Sequence, residues 1–302
     1  MTASDKSLRS VRRVSVFDIV IYILVGGFAF LCLYPFLMVV MGSISSQTSI
    51  IRNGFTLFPS EISFGAYEAL FGNRNRILNA YKITIIVTVL GTVSSLLVNC
   101  LIAFTLSRRE LRGRRVLNLF VLIPIIFSGG MVPWYIICVN YLGLQDSIQA
   151  LILPMLANSW NIFLIRNYFY SVPDSLYEAA KMDGASDFTV FFKIYLPVST
   201  PVLATIGLFT TLAYWNDWWL GMMLINREEL QPLQLLLRTI IANVQFLRTM
   251  NPSPELQLLY AQLPSDAIRM AMVIVTIGPI ILVYPFVQKF FVKGIMVGSV
   301  KG

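Results

Sequence analysis

Six apolar stretches, roughly residues 17–41, 81–106, 116–139, 148–165, 199–222 and 269–288, leave this chain few ways to fold. A bilayer crossing takes about 20 apolar residues as helix. Within hydrocarbon every backbone N–H and C=O needs a partner inside the protein, which helices supply from their own ladder. Each stretch reaches spanning length except the fourth, which is short and carries Pro154. Composition agrees: the chain is 57% hydrophobic and 13% charged, where soluble domains carry about a quarter charged residues. The expectation is an all-α integral membrane protein with six transmembrane helices over 17–288, between tails at 1–16 and 289–302.

The first stretch follows Lys6, Arg9, Arg12 and Arg13, as in a secretory signal. It is far longer than a signal's apolar core and lacks a clear small-residue cleavage site, so it reads as an uncleaved first span. With the N-terminus inside, fifteen of the 23 Lys and Arg residues fall on inner segments and eight on outer ones. That asymmetry follows the positive-inside rule and predicts both termini in the cytoplasm. Arg108, Arg109, Arg112, Arg114 and Arg115 pin the second loop there, and the 166–197 loop falls on the same side. The net charge of +8 is thus read as topology rather than nucleic-acid binding.

Catalysis has no candidate. The chain holds no histidine and no Gly-x4-Gly-Lys-Ser/Thr loop for nucleotide phosphates. Cys32, Cys100 and Cys138 lie inside apolar runs without metal-ligand spacing. No catalytic, cofactor or metal residue is expected.

One long segment is polar and helical at once. Pro173-Asp174-Ser175 offers a helix start with Asp174 or Ser175 as N-cap. Glu178-Ala179-Ala180-Lys181 propagates it, and Gly184 is placed to end it. A second short helix follows with Phe188, Phe191, Phe192 and Tyr195, until Pro197 forces a new start. On composition alone this could be an ordinary loop between spans. Its spacing, however, is Glu-Ala-Ala-x3-Gly-x9-Ile-x-Leu-Pro, from Glu178 to Pro197, and it resembles the EAA loop of ABC importer permeases at every consensus position. Phe127-Ser-Gly-Gly-Met-Val-Pro133 and the tail from Tyr284 to Gly302 are similar to the carbohydrate-uptake, MalG-like group, including importers of uronate-containing oligosaccharides.

The resemblance implies a type I importer permease fold without enzymatic activity. Its loop is a coupling helix that docks on a separate ATPase through Glu178, Ala179, Ala180, Asp183, Gly184, Ile194, Leu196 and Pro197. Expected partners are a second permease subunit, two ATPase subunits carrying ATP and Mg, an extracytoplasmic solute-binding protein and the lipid of a bacterial cytoplasmic membrane. The long outer loop, 223–268, with an amphipathic helix over 233–247, would meet the binding protein. The implied activity is carbohydrate import by alternating access. A permease for another solute and an ion-coupled carrier are the alternatives; the latter predicts buried ionisable relays and internal repeats, which are not evident here.

Polar groups inside the spans are costly and face cavities or partners. Ser128-Gly129-Gly130 and Pro133 should break the third span, or else serve close packing. Asn158 and Asn161, three apart, share a helix face and either bond between helices or line the path. Trp215, Asn216 and Asp217 either form an interfacial aromatic belt or line the path, gripping a sugar by stacking and hydrogen bonds.

Overall fold

The computed structural model describes residues 15–72, 74–249 and 266–281, with the side chains of 247–249 set aside. Among these residues the structure is helical, apart from one isolated bridge between Ser45 and Ile62. Contacts divide them into two compact units.

The first unit holds α1 (Val16–Ser43), α2 (Gln47–Asn53), most of α3 (Gly65–Phe71) and residues 266–274. Ser15 and Asp18 close a capping box at the start of α1. None of the helix's apolar window is buried by the described residues; an all-round apolar helix left bare in this way suits lipid or another subunit. Only its end packs, where a Cβ on Gly42 would meet Met270 and Phe55 at 3.1 Å. Gln47 and Asp266 exchange two hydrogen bonds, 2.9 and 3.3 Å long. In α3, Leu70 is buried while Phe71 is exposed.

The second unit is built on α4 (Arg74–Ser107), 34 residues long. Next come α5 (Arg114–Ile126), α6 (Met131–Ile136) with a π-helical turn to Tyr141, α7 (Ile148–Ile152) and α8 (Ser159–Phe169). The remainder comprises α9 (Asp174–Met182), α10 (Asp187–Val190), α11 (Leu196–Val198), α12 (Thr200–Trp215), α13 (Trp219–Leu224) and α14 (Leu233–Thr249). Helices α8 and α12 pack along α4. Gly91 makes the approach of α12 possible: a Cβ there would lie 2.7 Å from the Tyr214 ring. Tyr214 in turn donates to the Ile152 carbonyl at 3.0 Å.

Two helices, α1 and α4, are long and apolar enough to cross a bilayer unbroken. Three further spans qualify only as bent pairs: 116° between α5 and α6, 52° between α7 and α8, and 83° at the start of α12. Up to five spans therefore stand among the described residues. The sixth expected stretch is helical from 266 to 281; its remainder, the tail 289–302 and most of the tail 1–16 lie outside them. The break at Gly129-Gly130 falls where the sequence puts it, whereas the second comes at 156–158, just after the short helical turn that holds Pro154. The fifth stretch differs from a single span over 199–222: α12 stops at Trp215, and α13 begins at Trp219.

Asn99 shows how a break is tolerated. It is fully buried on α4 and reaches the gap between α7 and α8. Its amide donates to Ser95 Oγ (2.9 Å) and the Leu156 carbonyl (3.3 Å), and its oxygen accepts from the Asn158 N–H (2.9 Å). Asn99→Ala would strand the Asn158 amide and weaken the tie to Leu156. A loss of about 1–3 kcal/mol is expected, seen as a lowered thermal unfolding midpoint in detergent; an unchanged midpoint would contradict this role for Asn99.

Candidate functional site

The segment around Glu178 folds as helix, glycine turn, helix. Helix α9 starts after Pro173, without side-chain capping by Asp174 or Ser175; Asp174 sits instead in the first turn, where a carboxylate complements the helix dipole. At the other end the Asp183 N–H reaches Ala179 O at 3.1 Å, Gly184 N–H reaches Lys181 O at 3.0 Å and Ala185 N–H reaches Ala180 O at 2.9 Å. These bonds require a left-handed residue at 184, and Gly184 has φ +77°. Ser186 then caps α10 by accepting from the Thr189 N–H.

Pro197 does not end the second helix, contrary to the expectation. The backbone widens into a π-helical turn over Phe191–Tyr195, with the Leu196 N–H bonded to Phe191 O, and α11 continues through the proline. The extra residue in that turn absorbs the missing N–H, so the sharp bend comes only beyond Val198.

These local rules sort the eight motif residues. Ala180, Ile194 and Leu196 pack against a buried core that includes Phe104, Phe169, Val190, Phe191 and Tyr195. Glu178, Ala179, Asp183, Gly184 and Pro197 remain exposed. Beside them two large apolar side chains stand in the open, Met182 at 88% and Phe188 at 69% exposure.

Arg108, which the sequence reading counted only as loop charge, anchors this loop. Its guanidinium lies over Tyr177 at 4.1 Å, Tyr195 at 4.9 Å and Phe104 at 5.2 Å from the ring centroids, and donates to the Tyr195 hydroxyl. Such stacking contributes about 0.5–2 kcal/mol per ring. Tyr177 donates to Asp187 at 2.9 Å, and Lys181 pairs with the same carboxylate at 3.0 Å. Lys181 and then Tyr177 hold the Asp187 carboxyl below its usual range, while burial and the hydrogen bond to Asp187 push the Tyr177 phenol up. Tyr177 and Tyr195 were visible at the two ends of the motif, but their shared partner lies about 70 and 90 residues upstream of them. Between the 107–110 turn and α9 opens a cavity of about 620 Å³, with Arg108, Arg109, Glu110, Glu178 and Lys181 in its wall.

The five expected path residues separate. Asn158 caps α8 by accepting from the Asn161 N–H at 3.0 Å, and the Asn161 amide faces Thr210 Oγ1 at 3.5 Å. Both line a cavity of about 310 Å³ that also takes in Ser95, Thr210 and Tyr214. Sequence reasoning missed Ser95 and Thr210, although Thr210 and Tyr214 stand one helical turn apart on α12. Trp215, Asn216 and Asp217 do not line that cavity. The Trp215 indole donates to Thr276 O at 3.2 Å, the Asn216 amide donates to Leu212 O at 2.9 Å, and Asp217 accepts from the Leu220 N–H at 3.2 Å. The carboxylate within an apolar stretch is therefore engaged as a cap for α13.

Residues 95–297 match the model of the family described as binding-protein-dependent transport system inner membrane component. The chain is 38% identical over 294 residues to the polygalacturonan/rhamnogalacturonan transport system permease protein YtcP of Bacillus subtilis, covering 95% of this chain and 99% of that one. It is 36% identical over 287 residues to protein LplC of the same organism, covering 95% of each. Among solved structures, a bacterial ABC transporter involved in import of the acidic polysaccharide alginate has a chain of similar fold, with TM-score 0.77 and 35% identity over 93% of this chain and 98% of that one. The chain belongs to the binding-protein-dependent transport system inner membrane component family.

Proposed function

We propose that this chain is one of two membrane-spanning permease subunits of an ATP-driven, binding-protein-dependent importer of an oligosaccharide. Family membership supports the transport role. The cargo class rests on the relatives: the names of two of them specify polygalacturonan/rhamnogalacturonan and alginate, and an acidic oligosaccharide is the reading they favour. The protein resides in a bacterial cytoplasmic membrane with both termini inside, the orientation read from its loop charges.

The observation that carries the mechanism is the division of the 174–198 loop into a packed side and a bare one. Arg108 and the aromatic core grip the inner side, while Glu178, Ala179, Met182, Asp183, Gly184 and Phe188 are left exposed. The bare side is where an ATPase subunit docks. Met182 and Phe188 enter an apolar cleft, and Glu178 and Asp183 meet basic or backbone groups at its rim. ATP and Mg bind on the two ATPase subunits. Their closure moves this loop, and the Arg108 clamp passes the movement into α4 and α8. A loaded solute-binding protein docks on the opposite face of the membrane, and the oligosaccharide passes between this subunit and its homologous partner. The cavity bearing Asn158, Asn161 and Thr210 contributes amide and hydroxyl groups of the kind that bond sugar hydroxyls. Trp215, Asn216 and Asp217 serve chiefly to shape the break between α12 and α13.

Variants at three positions test this reading, by ATP-dependent uptake in proteoliposomes containing the whole complex unless another measurement is named. Gly184→Asp should abolish coupled uptake while the protein still inserts. Gly184→Asn, which tolerates the left-handed backbone, should retain more uptake; equal, undiminished uptake by both would sink the docking role of this turn. Burying a methionine is worth about 1.5–3 kcal/mol, so Met182→Glu should weaken ATPase association by about tenfold or more in a pull-down from detergent. Arg108→Gln should leave association largely intact yet lower uptake per ATP hydrolysed, since the clamp rather than the docking face is lost. Tight coupling in Arg108→Gln would remove Arg108 from the transmission path.

A further inference from the structure

The region around the start of α5 carries a second cluster that the transport mechanism does not use. Arg115 and Arg166 line a cavity of about 580 Å³ with Asn118, Asn167, Leu119 and Phe163. Arg115 and Asn118 also form the wall of a neighbouring cavity of about 560 Å³, shared with Arg109 and Arg114. No Asp or Glu lines either one.

Arg166 is set in place. Its Nη1 donates to Asn118 Oδ1, its Nη2 donates to Asn167 Oδ1 at 3.3 Å, and its guanidinium stacks on Phe163 at 4.4 Å. Arg114 donates to the Tyr170 hydroxyl. Arg115 is exposed and makes no hydrogen bond or ion pair among the described residues. Arg114 and Arg115 also occupy the first turn of α5, which has no acidic residue. Cations are disfavoured at that end of a helix, and no acidic residue among the described ones lines the cluster to offset the cost.

A charge-assisted bond from guanidinium to phosphate would relieve it. The apolar half of the site indicates which phosphate. Leu119 and Phe163 form one wall of the cavity, and the adjoining surface of α5 exposes Val116, Phe120 and Ile123. Residues 108–115 join two apolar stretches, which sets this turn at a membrane boundary. Cations abutting exposed apolar side chains at that depth suit a headgroup whose acyl chains continue along α5. The geometry points to a binding site for an anionic phospholipid, with its phosphate on Arg115 and Arg166 and its chains against α5.

Native mass spectrometry of the full chain, with whatever subunits accompany it, tests this by titration with phosphatidylglycerol or phosphatidylcholine. Phosphatidylglycerol should be retained preferentially, and Arg115→Gln should lower its retention by about fivefold, the value of one surface cation. The variant removes no internal bond, so its thermal unfolding midpoint should stay unchanged. Equal retention of the two lipids, or retention indifferent to Arg115→Gln, overturns the assignment. Displacement of the lipid by inorganic phosphate at matched concentration overturns it in favour of a free-anion site. A lipid-free face covered by an accompanying subunit overturns it in favour of a protein interface.

Discussion

Three of the apolar stretches in this chain are broken, and each break frees backbone groups in a place where water is scarce. An unpaired amide in hydrocarbon costs several kcal/mol, so the breaks persist only because particular side chains and turns absorb the freed groups. Asn99 serves the gap between α7 and α8 from a neighbouring helix. Asp217 serves the gap between α12 and α13 from within it. The bent arrangement around α4 depends on these devices together, because a bent span without them would straighten or fail to insert.

The 174–198 loop meets a different demand, that of staying rigid while one side of it is left exposed. Short helices are marginal on their own, and α9 has nine residues and α10 only four. Rigidity comes from Arg108 outside the loop, which stacks on Tyr177 and Tyr195, and from Asp187 within it, which is shared by Lys181 and Tyr177. A segment held this way moves as a body when pushed, since bending it would separate the Arg108 cation from Tyr177 and Tyr195.

Much of this was legible in the chain. The glycine turn at 184 follows from a helix that needs a left-handed residue to close, and glycine offers it without a Cβ clash. The break at Gly129-Gly130 and the one just after Pro154 fall beside residues that weaken a helix. Less was legible wherever a residue's partner is remote in sequence. Asp217 read as a costly carboxylate because its acceptor role depends on where α13 begins. Asn99 drew no notice, since nothing local distinguishes it from other polar residues in a long apolar helix. Arg108 looked like one charge among five, and only the fold brings Tyr177 and Tyr195 around it. Pro197 misled for a different reason: proline usually ends a helix, and the alternative of widening the preceding turn leaves no mark on residue type.

Helix α1 bears on how such a protein is made. It precedes α4 in the chain, and its apolar window buries nothing against the other described residues. It can therefore enter lipid and reside there as a finished unit before α4 has been translated, with Ser15 and Asp18 closing its first turn without help. The broken segments have no such freedom. Asn158 finds its partner on α4 and Trp215 finds its own near residue 276, so they settle only as their neighbours arrive. Biogenesis is thereby ordered along the chain, from a self-sufficient first helix to bent segments that complete one another late.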